Sequence, residues 1–152
     1  MTAPWGVAVA GIFVWLGMVL AISFMEAPLK FHAPGVTLQV GLGIGRLVFR
    51  ALNAAELVLS VVVLVALQFE PPPARVTVAI LVAVVVLAVQ LVAVRPSLTR
   101  RSDAVLVGGE GKDLSAPRAS ARRWSRGHYV YIGLELIKAI ALLVSGILLL
   151  AA

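Results

Sequence analysis

Four long stretches rich in Val, Leu, Ile, Ala and Phe alternate with short polar breaks along the chain. They cover about Trp5–Met25, a run ending near Gln68 that starts between Val36 and Leu47, about Val76–Val94, and about His128–Leu150. Wound as an α-helix at about 1.5 Å per residue, each reaches across roughly 30 Å of hydrocarbon. Lipid offers the backbone no partner, so only helices and closed barrels cross it. Runs of this length exceed a barrel strand, and four transmembrane helices are predicted.

The breaks fit that division. Glu26-Ala27-Pro28 and Ala33-Pro34-Gly35 are expected to stop the first helix, and Pro71-Pro72-Pro73 to make a short stiff turn between the second and third. Pro96 closes the third, and residues 95–127, with Gly, Ser, Arg and Asp at little periodicity, read as a loop. The opening stretch lacks the basic region and cleavage site of a signal peptide, which predicts a retained first helix. Gly41, Gly43 and Gly45 lack the G-x-G-x-x-G spacing and follow no strand. They are read as allowing close helix packing or an irregular start to the second span.

Composition points the same way. The chain is 61% hydrophobic with mean hydropathy +1.05, and only 13% of its residues are charged. A soluble domain carries about 25%. The 152 residues suit one domain, a single four-helix transmembrane unit. The absence of cysteine removes disulfides, iron–sulfur ligation and thiol nucleophiles.

Net charge is +6, and where the charges lie matters more than their sum. Lys30, Arg46 and Arg50 lie between the first two spans; Arg95, Arg100, Arg101, Lys112, Arg118, Arg122, Arg123 and Arg126 lie between the last two. Only Arg75 lies on the other side. By the positive-inside rule both long loops, including 95–127, are cytoplasmic and both termini face outward. The expectation is an all-α, polytopic, up-down four-helix bundle, N-out/C-out, in the cell inner or plasma membrane. No aromatic residues interleave the basic ones as base stacking requires, so nucleic acid is not an expected partner.

Polar residues inside the spans carry the functional interest. At 100° per residue, His128, Tyr131, Glu135 and Lys138 fall on one face of the fourth span, within about 80°. Gln39, Gly43, Arg46, Arg50, Asn53, Glu56 and Ser60 share a face of the second. Glu56 lies about 9 Å beyond Arg50, and Glu135 about 10 Å beyond His128, so the stripes match in depth. Gln90 and Ser23 approach the same level from the other two spans. The candidate pocket is therefore Asn53, Glu56, Gln90, His128, Tyr131, Glu135 and Lys138. Lys138 has Glu135 at i,i+3 and Glu56 across the bundle as partners. One negative charge is left over, so either a glutamate stays protonated through desolvation or Arg50 leans in. Beyond Ser60 and Lys138 the spans are apolar except for Ser145, which argues against a through-pore.

Other chemistries fit less well. A di-iron bundle needs two Glu-x-x-His pairs and two further glutamates, and here the comparable spacing ends in Lys138. His32 and His128 are the only imidazoles and sit near the interface, so no metal, haem or other cofactor is expected. Ser125 precedes His128 by three residues without the elbow or oxyanion signature of a hydrolase. Arg122, Arg123, Trp124 and Arg126 read as an interfacial anchor that can also meet anionic lipid headgroups. Glu26 and Lys30 make an i,i+4 surface pair. Gly6, Gly11 and Gly17 offer a route to a homo-oligomer, and a larger membrane complex is a further partner.

Three stretches, AISFMEAPLKF, GIGRLVFRALNAAE and RGHYVYIGLE, resemble the family of small four-helix membrane proteins grouped with eukaryotic transmembrane protein 205. The resemblance covers about half the chain and implies the four-span topology but no activity. In that family a histidine of the last helix is followed one turn later by a polar residue. The counterpart here is His128 with Tyr131 or Glu135, a departure.

Three functions compete. The first is a pocket open to the cytoplasm that binds a small ligand, ion or partner subunit, with a possible transport role. The second is an accessory or scaffold protein whose buried charges only tie helices together. The third, less expected, is a cofactor-assisted membrane enzyme.

Overall fold

The computed structural model describes residues 2–29, 32, 34–94 and 119–152, and every regular element among these is a helix. Helix α1 spans Ala3–Val19, continues with π-helical winding over Leu20–Glu26 and ends in one turn, Ala27–Leu29. Helix α2 spans Leu38–Phe69, α3 spans Ala74–Val89 with a π-helical continuation over Gln90–Val94, and α4 spans Ala119–Leu150. Four stretches are long and apolar enough to cross a membrane: Ala3–Glu26, Gly43–Phe69, Ala74–Val92 and Val130–Leu150. This is the architecture of a multi-pass membrane protein. Lys30, and with it the Glu26–Lys30 pair, lies outside the described residues, as do residues 95–118 of the basic loop.

Local chemistry explains the ends. Pro4 sits in the first turn of α1, where its missing N–H would have had no partner anyway. Thr37 caps α2, its Oγ1 accepting from the Val40 N–H at 3.3 Å, just after Gly35 turns the chain at φ 79°. The second helix thus starts near the early end of its expected range. It ends at Glu70, whose extended backbone leads into Pro71-Pro72-Pro73, as prolines impose on the residue before them. Pro73 then opens α3, accepting from the Val76 N–H at 2.9 Å.

Two boundaries differ from expectation. Glu26-Ala27-Pro28 does not stop the first helix, which winds on to Leu29. A proline removes one N–H and crowds the carbonyl four residues back, and the wider π winding before Pro28 relieves that crowding. The last helix starts at Ala119, well before His128. Its first turns, ASARRWSRG, are polar, so hydropathy marked the buried part of the helix and not its start.

Helix α1 packs against α2 and α4, and α3 packs against α4; α2 and α3 touch little. Ala8, Ile12, Trp15 and Val19 of α1 are fully buried, with Val63 of α2, Ala83 of α3 and Leu142 of α4. Two glycines set the closest approaches. A Cβ at Gly11 would stand 2.8 Å from Val63 Cγ2, and one at Gly146 would stand 2.9 Å from the Phe13 ring. Gly11 is therefore spent on packing inside the bundle and is unavailable to a homo-oligomer face, whereas Gly6 and Gly17 meet open space. Gly41 and Gly45 are buried and Gly43 is exposed, in keeping with packing glycines one turn apart.

The outward faces carry exposed Val58, Val61, Val65, Val78, Val85, Ile140 and Ile147. Lipid is as apolar as these side chains, so helix association rests on tight packing and polar links rather than on the hydrophobic effect. One such link ties the start of α1 to the end of α2. Trp5 Nε1 donates to the Glu70 carbonyl at 3.1 Å, and the Thr2 hydroxyl donates to the Glu70 carboxylate.

Candidate functional site

Helix α4 positions three of the site's side chains on one face: Tyr131, Glu135 and Lys138, spaced by four and three residues. Helix α2 supplies Asn53 and Glu56, one turn apart. Gln90 opens the π-helical end of α3, and α1 contributes Trp15 from its α-helical part and Ser23 from its π-helical part. All four spanning stretches thus converge on one level.

The centre is Lys138, fully buried. Its Nζ lies 2.5 Å from Glu56 Oε1 and donates to Gln90 Oε1 at 2.8 Å. It also meets Glu135, at 3.3 Å to Oε1 and 3.2 Å to Oε2. An ammonium has three protons to give, and here three side chains from three helices receive them. Gln90 completes a ring by donating Nε2 to Glu135 Oε1 at 3.1 Å, and Trp15 Nε1 donates to Glu56 Oε1 at 2.9 Å. Taking such charges out of water costs several kcal/mol per ion, so this degree of satisfaction is what lets them stay buried.

The other side of the cluster is different. Ser23 Oγ, Asn53 Nδ2, Glu56 Oε2, Tyr131 Oη and Glu135 Oε2 are buried without a hydrogen-bond partner. Glu56 is wholly buried, Glu135 is 1% exposed and Asn53 is 6% exposed. Tyr131 lies close enough to Glu135, Glu56 and Ser23 to interact with all three. Each unpartnered buried polar atom costs about 1–3 kcal/mol; Glu135 Oε2 keeps its 3.2 Å ion-pair contact to Lys138, and the other four call for something that satisfies them. Phe49 of α2 meets the Tyr131 ring edge-on, with centroids 5.5 Å apart at 84°.

The polarity stops there. Ser60 donates to the Leu57 carbonyl at 2.8 Å and Ser145 to the Leu142 carbonyl at 2.9 Å, each satisfied on its own helix. Beyond them towards the Pro71–Pro73 turn the interior is Val63, Ala66, Leu67, Val76, Ile80 and Leu149.

Of the sequence-derived candidates, Glu56, Gln90, Tyr131, Glu135 and Lys138 are brought together, and Asn53 is buried one turn from Glu56 on α2. Arg50 does not lean in; it is exposed. The side chains of Gln39, Arg122, Arg123, Trp124, Arg126 and His128 lie outside the described residues, although their backbones belong to α2 and α4. His32, three residues past the end of the first helix at Leu29, is exposed and its Nδ1 lies 3.0 Å from the Pro28 carbonyl.

Sequence reasoning passed over Trp15. It reads as one more apolar residue, yet its ring carries a donor, and a tryptophan at mid-span, away from the interfaces this residue favours, needs a buried acceptor. That was the available signal. Phe49 carried none, because edge-to-face contact depends on the tertiary placement of Tyr131.

As chemistry, the donor set is two carboxylates, two hydroxyls and an amide around a fixed ammonium. Among the described residues there is no group of three His, Cys, Asp or Glu side chains of the kind that holds a metal ion. Comparison with protein-family models, curated proteins and solved structures returned no match.

Proposed function

We propose that this protein is a small integral membrane protein whose bundle holds an intramembrane polar pocket for a small ligand or ion. The carrying observation is the cluster's two-sidedness. Lys138 is saturated, while Ser23 Oγ, Asn53 Nδ2, Glu56 Oε2 and Tyr131 Oη are buried with no hydrogen-bond partner and Glu135 Oε2 has only its ion-pair contact to Lys138. A purely structural network would satisfy its members, because half-satisfied networks cost more than an apolar core. In this reading the helices run up and down with both termini outside, in the inner or plasma membrane. The bias of eleven basic residues against Arg75 supports that orientation. The pocket then opens towards the cytoplasm, since Ser23, Asn53 and Tyr131 lie on the loop side of Glu56 and Lys138 along their helices. Possible transport, binding of a partner subunit and contact of Arg122, Arg123, Trp124 and Arg126 with anionic headgroups belong to the same proposal.

The saturated half favours a second reading, an accessory protein whose charges hold helices together. The two separate on purified protein in mild detergent, by mass spectrometry and elemental analysis of what co-purifies, followed by the same measurement on Asn53→Leu. A pocket predicts a bound species in wild type that is lost from a variant that still folds. Glue predicts an empty preparation; that outcome sinks a tightly held ligand, and the Glu56→Leu/Lys138→Met double variant then separates weak binding, which predicts lost function in a folded protein, from glue, which predicts altered stability or assembly.

A further inference from the structure

The pocket's chemistry narrows what it takes, and this inference rests on the reading just proposed. We infer that the site binds one monovalent cation, a proton or a sodium-sized ion, at Glu56 Oε2 and Glu135 Oε2, neither of which accepts a hydrogen bond and of which only Glu135 Oε2 meets Lys138, at 3.2 Å.

Charge gives the first argument. Glu56 and Glu135 share Lys138 as the cation that touches them. Two carboxylates and one ammonium sum to one negative charge. An anion would double that imbalance. A divalent ion would reverse it and would compete with Lys138, which sits 2.5 Å from Glu56. One unit of positive charge brings the cluster to neutrality, which a low-dielectric interior strongly favours.

The kind of free atom gives the second. Apart from Asn53 Nδ2, the nitrogen donors are already engaged: Trp15 to Glu56, Gln90 to Glu135, and Lys138 to Glu56, Gln90 and Glu135. What remains is mostly oxygen, from two carboxylates and from the hydroxyls of Ser23 and Tyr131. These are hard ligands of the type that hold hard cations. The hydroxyls can also accept from, or give to, a carboxyl that carries a proton.

Placement gives the third. Ser23 reaches the site from π-helical winding, and Gln90 stands at the first residue of the other π-helical stretch. Such winding is concentrated at functional sites, because it turns backbone and side chains away from the α-helical register. Both stretches end two residues before a proline, Pro28 and Pro96, so the sequence itself maintains them.

The groups that face Glu135 are Lys138 and Tyr131 on α4 and Glu56 on α2; α3 presents Gln90 and α1 presents Trp15 and Ser23, all three uncharged. A proton and an alkali ion therefore compete for the same two oxygens.

The test is thermal unfolding of the full chain in a neutral detergent, at constant ionic strength, in NaCl, KCl or N-methylglucamine chloride across a pH series. Ion binding predicts a midpoint about 3 °C or more higher in one alkali salt at concentrations ten times Kd. Glu135→Gln and Ser23→Ala reduce the gain. Proton binding predicts no difference between salts but a pH dependence that Glu135→Gln and Glu56→Gln each flatten. Identical midpoints in all salts, with a pH dependence unchanged in the variants, overturn the inference. Ser23→Ala keeps the test open should the glutamate variants fail to fold. A neutral organic molecule co-purifying in the pocket would overturn the cation and leave the pocket standing.

Discussion

Lys138 of α4 meets Glu56 of α2 at 2.5 Å across the bundle, although Glu135 is available one turn away on its own helix. The partner in the next helix is closer than the local one, so the ion pair links elements that otherwise touch little. Removing Lys138 leaves two buried carboxylates without the cation they share. Lys138→Met is expected to cost about 3–5 kcal/mol, and the double variant Glu56→Leu/Lys138→Met markedly less than the sum of its singles. Reversible unfolding in detergent micelles checks this, and strict additivity would refute the coupling.

The indole of Trp15 shares Glu56 Oε1 with Lys138. Trp15→Phe keeps most of the ring and deletes the donor, so the loss reads the hydrogen bond itself, about 1–3 kcal/mol for a bond to a charged acceptor. In Glu56→Leu the same substitution should cost much less. Equal costs in both backgrounds would show that Trp15 contributes packing alone.

Glycine substitutions separate inward from outward faces of α1. Gly11→Ala drives a methyl group to 2.8 Å from Val63 and is expected to destabilise by about 1–3 kcal/mol, with Val63→Ala restoring part of it. Gly6→Ala and Gly17→Ala meet open space and should stabilise the isolated chain by up to about 1 kcal/mol. Loss of a dimer in Gly6→Ala or Gly17→Ala, read by size on a detergent column, would show that this open face is an interface.

Much of this was legible in the residues. The spans follow from hydropathy, and the stripes on α2 and α4 placed Asn53, Glu56, Tyr131, Glu135 and Lys138 on facing surfaces before any contact was known. Two kinds of feature were not. A helical wheel assumes one register, and the π-helical stretches at Leu20–Glu26 and Gln90–Val94 change it where Ser23 and Gln90 enter the site. Hydropathy also sees the buried share of a helix, so it missed both the polar first turns of α4 and the winding past Pro28. Gly11 shows the same limit from another side: its spacing from Gly6 and Gly17 resembled a stripe, but at 100° per residue only Gly6 and Gly17 align.

The absence of cysteine makes orientation directly measurable. Thr37→Cys and Pro72→Cys introduce single thiols on opposite sides of α2. A membrane-impermeant maleimide is expected to label Pro72→Cys in intact cells and Thr37→Cys only after permeabilisation. The reverse pattern would invert the bundle and open the pocket to the outside.

The order in which the chain is synthesised gives the shared Glu56 oxygen another meaning. Glu56 reaches the bilayer about eighty residues before Lys138 is translated, and an ionised carboxylate at mid-membrane costs at least about 2.5 kcal/mol there. Trp15 has already been made, and its indole can hold the carboxyl as soon as the first hairpin forms. Lys138 arrives later with its own neutralising partner, Glu135, on the same helix. Each hairpin thus carries its charge with a local partner that the finished bundle keeps, and the Lys138–Glu56 contact is what the joining of the two halves adds.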